Sequence, residues 1–151
     1  MAANRSYVAD NAAQRERLRA LVDRLADEDL RRPVSAGWTV AAGLAHLAFW
    51  DRRILVLLDR WDREGVPPRP LDRDDVDWIN DAAKALCLAL PARAAARLAL
   101  ETAEAVDRRV ESLAEPRLAA NDAAGRPVNL LRAEHRREHL DEIERALAAR
   151  A

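Results

Sequence analysis

The sequence predicts an all-α protein, a four-helix bundle with a long crossover between its second and third helices. Three observations carry that prediction. The 151 residues include only four glycines. No alternating run of β-branched residues bounded by turns stands out. Four long stretches place apolar residues mostly at helical spacing, and proline- or glycine-bearing connections separate them. A chain of this length fits a single domain, 1–151, around one core.

The first long helix is expected from near Ser6 to Leu25, with Val8, Ala12, Leu18, Leu21, Val22 and Leu25 on its buried side. Asp27 to Leu30 adds a short turn before Arg32-Pro33 breaks the helix. Pro33 to Thr39 is a connection, and the Thr39 hydroxyl reads as the N-cap of the second helix. That helix runs from Val40 to about Arg63 and stops at Gly65 and the proline-rich stretch Pro67 to Pro70. Its buried side carries Val40, Leu44, Leu47, Ile54, Leu57, Leu58 and Trp61.

Pro70 to Leu90 reads as the crossover, with a short helix over roughly Asp75 to Leu88. Pro91 suits the first turn of a third long helix extending to Leu113. The apolar side of that helix is mostly small, which lets a neighbour approach closely. Pro116 and the region Asn121 to Pro127 form the next connection, and Asn129 is expected to cap the fourth helix. Such an arrangement belongs to bundles with a crossover connection.

The 25 basic and 26 acidic residues nearly cancel. No net basic field of the kind a general nucleic-acid binder needs is present. The arginine-rich helix faces read as solvated surface. Cys87 is the single cysteine, so no intrachain disulfide forms, and its apolar surroundings in sequence suit a buried structural thiol. The N-terminal stretch is polar and no apolar run would span a bilayer, which predicts a cytoplasmic protein with no membrane partner.

The three histidines are the most informative residues. His135 and His139 are four apart, so a helix sets both imidazoles on one face, one turn apart. Leu131 and Ile143 share that arc, which points the pair toward the core, with Glu138 and Glu142 at its edge. His46 lies on the inward side of the second helix, beside Gly43, Trp50, Leu57 and Trp61. Gly43 leaves room next to the imidazole. Three core-facing histidines from two helices suit a divalent metal, because neutral imidazoles that ligate a cation can be buried. Three protein ligands also leave a coordination position open for water or substrate.

Gly37-Trp38-Thr39-Val40, then Leu44-Ala45-His46-Leu47 and Phe49-Trp50-Asp51, are followed near the C-terminus by the run His135 to Ile143. In order and separation these motifs resemble the DinB superfamily over nearly the whole chain. The superfamily includes thiol-dependent S-transferases and mycothiol-dependent maleylpyruvate isomerases. The resemblance implies a DinB-like bundle with metal ligands at His46, His135 and His139. It further implies zinc or nickel as the metal, a homodimer, and a low-molecular-weight thiol such as mycothiol or bacillithiol as cosubstrate. In such proteins the metal lowers the thiol pKa and holds the thiolate for attack on an electrophile.

Trp50, Trp61 and Asn80 are the candidate residues for a substrate pocket. The two tryptophans read first as core filling, and Asn80 first as a brace for the crossover. Glu138, Glu142 and Asp51 are candidate partners of the metal ligands or proton acceptors. Two functions stay open, beside a third reading in which the histidines merely pack and hold no metal. One is a metal-dependent enzyme, a thiol S-transferase or hydrolase acting on a small molecule. The other is a non-catalytic stress or small-ligand-binding protein whose metal is structural or vestigial.

Overall fold

Apolar spacing, capping residues and proline together set the helix boundaries. In the computed structural model, which describes residues 2–149, seven helices and no strand are found among the described residues. They are α1 (Tyr7–Arg24), α2 (Asp27–Leu30), α3 (Val40–Glu64), α4 (Arg73–Ala89), α5 (Ala92–Glu111), α6 (Glu115–Ala123) and α7 (Ala133–Ala148). α1, α3, α5 and α7 form the bundle. α1 packs on α5 and α7, and α3 packs on the same two. This leaves α1/α3 and α5/α7 as the diagonal pairs. α4, the crossover helix, lies against α3.

The α3 ends follow simple local chemistry. Thr39 Oγ1 accepts from the Ala42 amide at 3.1 Å and so satisfies one of the free donors of the first turn. At the other end Gly65 adopts φ +72°, a left-handed conformation that costs glycine little, and its amide returns to the Trp61 carbonyl. α3 packs most extensively on α5. There Ala95, Ala96, Ala99 and Ala103 are all buried, and their small side chains allow the close approach.

Three elements depart from the sequence reading. The crossover helix begins at Arg73, two residues early, because Asp72 and Asp75 cap each other's amides in a reciprocal box. The segment expected to be irregular from Pro116 contains α6. Proline in a first helical turn forfeits only an amide that has no intrahelical partner, so Pro116 initiates the helix rather than breaking it. Asn129 does not cap the last helix. Its Oδ1 accepts from the Leu131 amide in a local turn, and α7 starts four residues later, at Ala133.

The start of α7 is instead capped from across the bundle. Asn11 on α1 is fully buried; its Oδ1 accepts from the Ala133 amide at 2.9 Å and its Nδ2 donates to the Leu130 carbonyl at 2.9 Å. Asn11→Ala is expected to cost about 1–3 kcal/mol, since the Ala133 amide is left buried without a partner. Urea denaturation read by circular dichroism measures that loss.

The buried apolar residues form two clusters. One gathers Leu18, Leu21, Val40, Leu44, Leu47, Ala99, Leu140 and Ile143. The other gathers Tyr7, Ile54, Leu58, Trp61, Val106, Val110 and Leu118. Between them on every bundle helix stands a polar residue: Asn11 on α1, Asp51 on α3, Asp107 on α5 and Arg136 on α7. Arg136 is 1% exposed. Its guanidinium donates to both carboxylate oxygens of Asp107, at 2.8 and 2.9 Å, and to Asp51 at 3.2 Å. Arg132 meets Asp51 at 2.9 Å, and Arg15 meets Asp107 at 2.5 Å. For Arg132 and Arg136 the expectation of solvated surface is therefore wrong. They lie on the inward side of the chain at the start of α7 and are neutralised by carboxylates from α3 and α5.

Candidate metal centre

Helix periodicity brings the three histidines together. His46 faces inward from the second turn of α3, and His135 and His139 project from successive turns of α7. Their ligand atoms all lie within 4.8 Å of one another. His46 Nε2 and His135 Nε2 are 3.0 Å apart, and the ring centroids are separated by 4.7 to 5.0 Å. Ligand nitrogens around a tetrahedral zinc stand about 3.3 Å apart, given bonds of about 2.0–2.1 Å. The donor set therefore fits one divalent cation.

The electrostatics point the same way. Burial pushes His46 down to about 4, with His139 adding repulsion. Burial, followed by His139, His46 and the two nearby arginines, pushes His135 down to about 2. Burial also lowers His139, against the opposing influence of Glu142 and Glu138. All three rings are thus neutral near pH 7, the form in which an imidazole ligates a cation. His46 Nδ1 is buried without a hydrogen-bond partner. Its ring is held instead by packing, edge-on to Trp38 at 5.4 Å and to Trp50 at 6.4 Å.

The trio opens onto a cavity of about 900 Å³ between α3, α4, the loop before α3 and α7. Gly43 borders it. A Cβ built there would meet nothing within 4 Å, so the room that the sequence reading assigned to this glycine is present. Trp50 lines the cavity, and its indole donates to Asn80 Oδ1 at 2.9 Å, which ties the crossover helix to α3. Trp38 lines it as well, besides anchoring the start of α3.

Trp61 does not line the cavity. It shares a helix face with His46, but fifteen residues of helix carry it about 22 Å away. There it is buried in the second apolar cluster, under the Arg117 guanidinium. Asp51 is likewise held away from the histidines, because both its oxygens are committed to Arg132 and Arg136. Glu138 and Glu142 do line the cavity. Glu142 accepts from the Ser35 hydroxyl and amide, which holds its carboxyl below the usual range. It stands 3.8 Å from His139 Nδ1, longer than a hydrogen bond. Cys87 is buried on α4, and burial raises its thiol pKa, as suits a structural thiol.

Sequence reasoning passed over Arg53 and Lys84, which both line the cavity. The signal for Arg53 was present. It lies seven residues after His46 and three after Trp50, which is helical spacing along one face.

No helix among the described residues is long and apolar enough to cross a membrane. A family model of the DinB superfamily matches residues 11–143, most of the chain. No curated protein and no solved structure matches it.

Proposed function

We propose, for a chain that belongs to the DinB superfamily, a metal-dependent enzyme: a bacterial-thiol-dependent S-transferase or a hydrolase acting on a small molecule. The observation that carries the reading is the convergence of His46, His135 and His139 in the lining of one cavity. These three residues would hold the cation, zinc or nickel. A divalent cation so placed supplies Lewis acidity, which keeps a thiol or a water deprotonated near neutral pH.

The remaining work falls to the chain itself. Burial keeps the imidazoles unprotonated, so none must lose a proton before ligating. Trp38 and Trp50 shield His46 from solvent and fix its ring. Gly43 keeps the space beside that ring clear for a ligand. The Glu138 carboxylate, which lines the same cavity, would accept the proton that a thiol or water releases.

A panel of bacterial thiols and electrophiles, run with chelator-stripped and with zinc- or nickel-loaded protein, tests the reading. Turnover is expected only after loading and only with all three histidines in place. Activity that survives in His135→Ala would rule the mechanism out. Ligand binding without turnover across the panel would favour the non-catalytic alternative.

A further inference from the structure

The two aromatic walls of the cavity each carry a cation. The Arg53 guanidinium lies over the Trp50 ring, 5.5 Å from its centroid, and the Lys84 ammonium lies over Trp38 at 5.6 Å. Both side chains are half-buried and both line the cavity. Lys84 donates to the Ala36 carbonyl at 2.6 Å. Neither has a carboxylate within 4 Å among the described residues, although most other arginines of the chain are paired.

Arg53 differs from an ordinary surface arginine. Burial lowers its pKa, and repulsion from Arg132 lowers it further, so this charge is held against its surroundings. The acidic groups on the cavity wall do not relieve it. Glu142 is engaged by Ser35, and Asp81 and Glu138 are exposed to water. The other cations that line the cavity are already paired, Arg126 with Asp122 and Arg132 with Asp51. A half-buried guanidinium held over an aromatic ring and lacking an anion presents a planar fork of donors suited to an oxyanion.

We propose that the cavity takes a small molecule bearing a carboxylate or phosphate, with Arg53 on α3 as its principal anchor and Lys84 on α4 as a second cation. The proposal rests on the reading of this cavity as the substrate site, and it names the substrate's charge. Arg53 follows His46 by about 10 Å along α3. The anchored group therefore sits at one end of the ligand, and the part that reaches the histidines sits at the other.

The test uses three probes of one shape: benzoate, phenyl phosphate and neutral benzamide, titrated by ligand-observed NMR. Each is run with zinc-loaded and with chelator-treated protein. Wild type is expected to bind at least one oxyanion more tightly than benzamide. Arg53→Gln should weaken that oxyanion about tenfold or more and leave benzamide unchanged. Arg53→Lys should restore part of the preference, which a merely structural arginine would not do.

A preference for benzoate alone identifies a carboxylate ligand, and one for phenyl phosphate alone a phosphate. Equal affinity for benzoate, phenyl phosphate and benzamide, failure of both oxyanions to bind, or an oxyanion affinity indifferent to Arg53→Gln would each overturn the proposal. The two readings separate in the same samples. Protein that takes up no zinc yet keeps the Arg53-dependent preference has the anion site without the metal centre. Zinc uptake with no such preference means the reverse.

Discussion

Arg136→Ala is expected to destabilise the protein by about 3–5 kcal/mol, a large part of the stability available to a domain of this size. The Arg136 side chain is buried between two carboxylates and makes a two-pronged contact with Asp107. Without it Asp51 retains only Arg132, and Asp107 only Arg15, each still enclosed by the bundle. The loss measures the charge left uncompensated, not the net worth of the ion pairs. Arg136→Lys should recover only part of it, because an ammonium cannot reproduce the fork that reaches Asp51 and Asp107 together. Denaturant titration of the three proteins measures both effects, and a loss below about 1 kcal/mol for the alanine variant would show that the polar layer contributes little.

This layer also bears on the candidate metal centre. Arg132 and Arg136 flank His135 on α7, and both are fastened to Asp51 on α3, the helix that carries His46. The contacts that join the two apolar clusters therefore also set α7 against α3, where their histidines meet. Asp51 acts on the centre through this fixing of position, not by touching a ligand.

The second large effect is the response to metal. Zinc at about a hundredfold over its dissociation constant should stabilise wild type by about 2.7 kcal/mol. For a domain of this length that raises Tm by roughly 5–10 °C. Removing one of three ligands leaves two imidazoles, so His135→Ala should show no such rise at the same zinc concentration. Thermal melts with and without zinc, followed by circular dichroism, decide it. An equal rise in both proteins would place zinc elsewhere on the chain.

Much of the bundle was legible in the sequence, because its long helices rest on local rules. Thr39 and Gly65 bound α3 through contacts with residues three or four positions away. The histidine trio was legible for a similar reason: four-residue spacing sets two rings on one face of α7, and the apolar stripe of α3 turns the third inward. α6 was missed because Pro116 counts as a breaker unless its place in the first turn is known. The start of α7 was misplaced because Asn129 has the chemistry of a cap, whereas the residue that performs the role, Asn11, is more than a hundred residues away in sequence.

Long-range pairing hid the polar layer for the same reason. Asp51, Asp107 and Arg136 each lie on an amphipathic helix where a charged residue reads as solvated. Only the packing of α3, α5 and α7 makes them partners. Trp61 became a pocket candidate on a shared helix face alone, without its distance along the axis from His46, and its other reading, core filling, is the one the packing bears out.

The central claim is that His46, His135 and His139 together hold one divalent cation. Elemental analysis of protein purified without a histidine tag, beside a variant with all three replaced by alanine, tests it most directly. The account predicts near-stoichiometric zinc or nickel in the wild type and its loss in the variant. Wild-type protein that contains no metal and takes up neither zinc nor nickel when they are added, or a variant that retains stoichiometric metal, would contradict it.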